Sequence, residues 1–216
     1  MSTPAFQWPA LARGPEPRQD RSARTRDLVL LKAAELFAEK GYRTASIKEV
    51  AERTGMTKGA VYHHFPTKDA LVIAVVEAQY DRWPEMVQQV RTETTTALEA
   101  AFKVTDRVAE AFITDPVTRA VARLQAERSS VPFDLPAPYV GWISLMTQLL
   151  TEAEQAGELR AGVSPEQIAH AMVASFYGTQ HISDLLHDRA DLAQRWQEQR
   201  SLLWYAISSE PDRPAS

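Results

Sequence analysis

Between Ser46 and Pro66 the chain reads SIKEVAERTGMTKGAVYHHFP, a stretch with room for two short helices, a tight turn and little else. Ser46 and Glu49 stand three apart as a capping box, and Ile47, Val50 and Ala51 supply the buried stripe of the helix that it starts. Gly55 ends that helix. After the turn Gly55-Met56-Thr57, the Thr57 hydroxyl caps a second helix, which stops near Phe65 because Pro66 cannot continue it and restricts the residue before it. Two short helices across a glycine-containing turn describe a helix-turn-helix.

The surrounding sequence repeats the same language. Every long segment has helical periodicity, none alternates polar and apolar residues, and glycine and proline fall mainly between the periodic runs, so the fold class is all-α. A helix over residues 22–40, with Leu30, Ala33, Ala34 and Phe37 on one face and Gly41 as its stop, precedes the helix-turn-helix. Thr67 caps a fourth helix that passes Leu71, Val75 and Ala78 toward Trp83-Pro84, where the chain is expected to bend or restart. Further helices are predicted at about 84–93, 96–113, 116–129, 138–156, 165–187 and 190–208, the third and fifth of them opened by Asp115-Pro116 and Ser164-Pro165. The resulting organisation is a mobile arm at 1–20, an amino-terminal three-helix domain at 21–68 and a larger helical domain at 69–210.

Composition limits the function classes. The chain has no cysteine, which excludes disulfides, thiolate metal sites and a thiol nucleophile and fits a reducing cytoplasm. No apolar run approaches a membrane span and no leader pattern opens the chain, so the expectation is a soluble, cytoplasmic protein. The net charge of −4 conceals a division: residues 1–70 hold 12 of the 24 basic and 8 of the 28 acidic residues, and so carry +4, while the remainder carries −8. A basic amino-terminal third can approach phosphate while the acidic part does something else.

A helix that enters a DNA groove needs small residues where its backbone nears phosphate, donors at its amino end and longer polar groups that reach bases or backbone. GMTKGAVYHHF contains all three. Gly59 and Ala60 permit close approach, Thr57 and Lys58 sit at the positive helix terminus, and Tyr62, His63, His64 and Lys68 can reach phosphates or bases. Val61 and Phe65, four apart, face inward. The alternative, Tyr62 and the histidines packed against the first helix, fits the pattern less well. A metal held by His63 and His64 is disfavoured because adjacent helical side chains diverge by about 100°.

The stretch GYRTASIKEVAERTGMTKGAVYHHFPTKDAL closely resembles the DNA-binding domain of TetR-family transcriptional repressors. The resemblance implies a homodimer that binds a pseudo-palindromic operator through its third helices and is released by a small molecule. The family's DNA contacts then fall on Ser46, Lys48, Thr57, Lys58, Gly59, Ala60, Tyr62, His63, His64 and Lys68. Arg13, Arg18, Arg21 and Arg24 precede the first helix and can reach an adjacent minor groove or phosphates.

In the larger domain, Tyr80, Trp83, Phe102, Phe112, Gln125, Tyr139, Trp142, Phe176 and Tyr177 lie on different predicted helices, and apolar walls with a few polar groups describe a small-molecule site. Taken singly, each reads better as core, since a lone aromatic at helical spacing usually just packs. DPVTRAVARLQAERSSVPFDLPAPYVGW and VASFYGTQHISDLLHDRADLAQRW resemble the γ-butyrolactone and furan autoregulator receptors of Streptomyces, a TetR subgroup that governs antibiotic production. That resemblance implies an effector site with Trp142, Tyr80, Gln125 and Tyr139, to which the aromatic pattern adds Trp83 and Phe176; Trp83 stands where several butyrolactone receptors have a smaller residue, which leaves the ligand open between lactone, butenolide and furan. A TetR-type repressor of an efflux or catabolic gene is the alternative. Apolar stripes through Ala169, Met172, Val173 and Phe176, and through Trp196, Leu203, Trp204 and Ile207, suit either a core or a two-fold helical interface, and the resemblance favours the dimer. The sequence holds no nucleophile elbow, phosphate-cradling loop or His-Glu-x-x-His run, so neither an enzyme nor a cofactor is expected.

Overall fold

The computed structural model describes residues 20–137 and 139–210, and among these the chain is helical throughout. The helices are α1 Asp20–Thr44, α2 Ile47–Thr54, α3 Lys58–His64, α4 Lys68–Glu93, α5 Ala97–Thr114, α6 Pro116–Ala126, α7 Val140–Gln155, α8 Pro165–His187 and α9 Leu192–Ile207. The described residues form no sheet beyond an isolated antiparallel bridge between Leu159 and Ser208. They fall into two compact units, one made of residues 20–83 and 115–136 and the other of 84–114 with the described residues from 137 onward. The arm's Arg13 and Arg18 lie outside the described residues.

The amino-terminal unit is built on the inner stripe of α1, where Val29, Leu30, Ala33, Ala34, Leu36 and Phe37 are buried at helical spacing. Ile47, Val50 and Ala51 from α2, Val61 and Phe65 from around α3, and Leu71, Val72, Val75 and Val76 from α4 close over that stripe. Residues 115–136, which the sequence placed in the larger domain, pack here. Val117, Ala120, Val121 and Leu124 put one face of α6 into the same core, and Val131 and Leu135 of the following loop join it. The Gln125 amide donates to the Pro136 carbonyl at 3.0 Å and the Arg128 guanidinium to the Leu135 carbonyl at 3.2 Å, so the proline-rich loop is tied back to its helix.

The second unit is the bundle of α5, α7, α8 and α9 around Phe102, Phe112, Met146, Leu149, Leu150, Phe176 and Trp196. Its polar interior is satisfied where it matters most: Asp106 accepts from Trp196 Nε1 at 2.6 Å and from Arg200 Nε at 3.2 Å. Arg160 N donates to the Ile207 carbonyl and Ser209 N to the Glu158 carbonyl, both at 2.8 Å, which clips the end of α9 onto the α7–α8 connection.

Three boundaries differ from expectation. Helix α4 runs on through Pro84 to Glu93, although the proline lacks the amide that would donate to the Tyr80 carbonyl and its ring crowds that carbonyl. Helix α6 stops at Ala126 and a 3-10 turn, Arg128–Ser130, follows. Helix α7 starts after Tyr139, whose left-handed backbone (φ 69, ψ −22) closes off the segment before it. The stripes of Ala169, Met172, Val173 and Phe176, and of Trp196, Trp204 and Ile207, are interior to the bundle. They cannot be the face that pairs two chains. The outer faces of α8 and α9 expose Ile182, Leu185, Leu186, Leu202 and Tyr205 instead.

Candidate functional site

The helix-turn-helix forms as its local signals require. The Ser46 hydroxyl accepts from Glu49 N at 3.3 Å while the Ser46 amide donates to Glu49 Oε2 at 3.1 Å, a closed capping box. Lys40 and the Ser46 hydroxyl hold the Glu49 carboxyl below the usual carboxylate range, so the box keeps its charge to a lower pH than an ordinary glutamate would. Gly55 takes the left-handed conformation (φ 68, ψ 22) that turns the chain, and Thr57 Oγ1 accepts from Ala60 N at 3.2 Å at the start of α3. Val61 and Phe65 are buried on the inner side of α3, and Thr57, Lys58, Gly59, Tyr62 and His63 are exposed on the outer side. Thr57 Oγ1, at 3.9 Å, is the nearest atom of the rest of the described chain to the place where a Cβ on Gly59 would stand, so packing within the chain does not require glycine there.

Within the set, the structure separates residues that face outward from residues that hold others in place. Lys48 is exposed, 3.5 Å from Glu52. Ser46 has spent its hydroxyl on Glu49, donating to Oε2 at 2.8 Å. Lys68 donates to the Tyr42 carbonyl at 2.8 Å and to the Ala45 carbonyl at 3.3 Å, with its ammonium 4.1 Å from the centre of the Tyr42 ring. It fastens the start of α4 to the segment before α2, and one N–H remains for a phosphate. His64 is half-buried, and burial first, then His63 and Arg26, holds its imidazole below the usual histidine range. Its outer neighbour His63 meets it edge to face at 5.4 Å, which suits a contact surface better than a shared ion. Arg26 was not legible in the sequence as part of this group. Its guanidinium lies 4.9 Å from the Phe65 ring, a contact across 39 residues that no spacing rule predicts.

In the second unit, Trp142 and Phe176 come together at a small recess, partly open to solvent and about 20 Å³ in volume, with Thr105, Val108, Met146, Met172, Val173 and Tyr177. The lining is almost wholly apolar; Thr105 Oγ1 already donates to the Ala101 carbonyl at 3.0 Å. Tyr139 stacks on Tyr177 at 4.5 Å and so borders this group. The other three residues expected at an effector site belong to the amino-terminal unit. Tyr80 is half-buried against its core, where burial raises the phenol above its ordinary range. Trp83 is buried. Gln125 has its Nε2 on Pro136, while its buried Oε1 has no hydrogen-bond partner among the described residues. A buried amide oxygen with no donor is an acceptor awaiting one.

A helix-turn-helix on a three-helix scaffold, joined in one chain to a helical bundle with an apolar recess, defines a ligand-sensing DNA-binding regulator. Residues 29–75 match the bacterial regulatory proteins of the tetR family, and residues 95–208 match the tetracyclin repressor-like C-terminal domain. The chain belongs to the TetR family. It is 31% identical over 183 residues to the A-factor receptor protein of Streptomyces griseus, covering 83% of this chain and 63% of that protein's length. A solved structure described as the molecular basis for control of antibiotic production by bacterial hormones is 52% identical, with a TM-score of 0.81, over 86% of this chain and 98% of that one. The TetR family protein CprB of Streptomyces coelicolor, in complex with its operator sequence, is 27% identical with a TM-score of 0.78, over 89% of this chain and 94% of that one.

Proposed function

We propose that the chain is a transcriptional repressor that binds a pseudo-palindromic operator as a homodimer and releases it when a small signalling molecule binds. The observation that carries this is α3, held from within by Val61 and Phe65 and presenting Thr57, Lys58, Gly59, Tyr62 and His63 outward. The likeness to CprB bound to its operator supports the DNA partner, and the A-factor receptor and the hormone-controlled relative support the signalling ligand. Genes of antibiotic or secondary metabolism are the corresponding targets. The apolar lining of the recess beside Trp142 and Phe176 suits contact with the aliphatic part of a lactone, butenolide or furan. No described helix is long and apolar enough to cross a membrane, and a DNA partner supports a cytoplasmic location.

The test is a gel shift with the DNA upstream of the protein's own gene, repeated with candidate lactones, butenolides and furans. Binding should fall steeply as salt rises, because phosphate contacts release counterions. Tyr62→Ala is expected to weaken every duplex by a similar factor and leave the salt slope unchanged, since a phenol grips the backbone without charge. Lys58→Ala should also lower that slope by about one. Anisotropy titrations at several salt concentrations measure both, and normal operator binding by the two variants would remove α3 from the interface.

A further inference from the structure

Gly41 breaks α1 with a backbone conformation that is almost restricted to glycine (φ 71, ψ −174). In an unbroken helix the Tyr42 amide would donate to the Ala38 carbonyl. Here α6 takes over both partners. The Tyr42 amide donates to Glu127 Oε2 at 3.1 Å, and Arg123 Nη1 donates to the Ala38 carbonyl at 3.1 Å and to the Glu39 carbonyl at 2.7 Å. Arg123 Nε also donates to Glu127 Oε1 at 2.9 Å, so Arg123 on α6 and Glu127, the residue that caps the end of α6, act on the break as one group. The carboxylate occupies the space of the missing side chain: a Cβ on residue 41 would stand 2.2 Å from Glu127 Oε2.

The segment that leaves this break is held on its other side by the start of α4. Lys68 donates to the Tyr42 and Ala45 carbonyls, and the Tyr42 hydroxyl donates to Asp69 Oδ1 at 2.6 Å. Burial and that carboxylate push the Tyr42 phenol up to about 12, so it remains a donor across the physiological range. Residues 41–46 therefore have charged anchors on two sides, and Ser46 at their end caps α2.

We propose that Arg123 and Glu127 are positioning residues for operator binding. They complete the hydrogen bonding of a deliberately broken α1 and thereby fix the segment from which α2 and α3 hang. Neither residue lies within the helix-turn-helix, and neither needs to touch DNA. The inference rests on the repressor reading, since it concerns how accurately α3 is presented to an operator.

The experiment uses the full chain and a duplex selected from a random library by the wild-type protein. Glu127→Ala and Arg123→Met are each expected to lower affinity for that duplex about tenfold, because each leaves polar groups at the break without a partner. Combining them should cost little more than either alone. Glu127→Gln keeps an oxygen for the Tyr42 amide and should recover most of the loss. Arg123→Lys keeps charge and stem, so it carries the same test with the least risk to folding and should show a smaller loss. Amide exchange of residues 42–46 should quicken in the weakened variants. The control is Glu152→Ala, which removes a comparable pair with Arg91 (2.8 and 2.9 Å) in the other unit and should leave affinity unchanged where the protein is folded. Wild-type affinity in Arg123→Lys, Arg123→Met and Glu127→Ala together overturns the proposal, as does an equal loss in Glu152→Ala. A wild-type chain that selects no duplex overturns the repressor reading itself, and this inference with it.

Discussion

Trp142→Ala is expected to leave operator binding near its wild-type value and to abolish release by the effector. The indole is half-buried and forms a wall of the recess with Met146, Met172 and Phe176, so truncation removes a contact surface for the ligand from the edge of the bundle. Helix α3 and its supports belong to the other compact unit and keep their own core. Release requires a ligand with different affinities for the DNA-bound and free conformers, and a ligand that no longer binds cannot shift that equilibrium. The competing expectation treats Trp142 as core, whose loss costs about 3–5 kcal/mol and removes folding, binding and response together. Trp196 supplies the comparison. It is 1% exposed, its Nε1 donates to Asp106, and Trp196→Ala should show that collapse. Thermal midpoint, operator affinity and effector response measured on both variants separate the outcomes. A folded Trp142→Ala that still responds fully removes this residue from the site.

The parts of the molecule that were legible in the sequence are those made by near neighbours. The capping box of Ser46 and Glu49, the left-handed Gly55 and the Thr57 cap are all closed within three or four residues, so residue type and spacing determine them. Helix α6 illustrates what spacing cannot give. Val117, Ala120, Val121 and Leu124 announce a buried face but say nothing of what covers it, and the partner is α1, about 85 residues earlier, through contacts such as Arg123 to Ala38. The effector residues divide in the same way. Trp142 and Phe176 stand out as aromatics and meet at the recess, whereas Thr105, Met146 and Met172 look like ordinary core until the bundle brings them beside Trp142. For α8 and α9 the strongest apolar stripes, readable in the sequence as core or as an interface, are buried within the chain apart from the half-buried Leu203. Residues that bury within a chain are as hydrophobic as residues that pair two chains, and only the structure distinguishes them.

Charge placed on the outer face of α8 and α9 should therefore be the most damaging change that leaves the folded chain untouched. Leu185 and Leu202 are 70% and 73% exposed, and with Ile182, Leu186 and Tyr205 they make five large apolar side chains turned to solvent on adjacent helices. A patch of that kind marks an interaction surface, and a second copy of the chain is the partner that a pseudo-palindromic operator requires. Exposed Ala171, Ala174 and Gly178 continue the face of α8, and beyond the backbone of α8 itself and the residues next to Gly178 nothing described lies within 4 Å of the place where a Cβ on Gly178 would stand, which leaves room for a partner helix to come close. Leu185→Glu and Leu202→Glu together should change chain stability by less than about 0.5 kcal/mol, as exposed substitutions do. In the dimer the same carboxylates would be buried without partners, a cost of several kcal/mol for each ion. Sedimentation should then report a monomer. Operator affinity should drop by at least about a hundredfold, because one reading head alone loses the effective concentration that its tethered twin provides. A double variant that still sediments as a dimer and binds its operator normally would place the pairing face elsewhere on the chain.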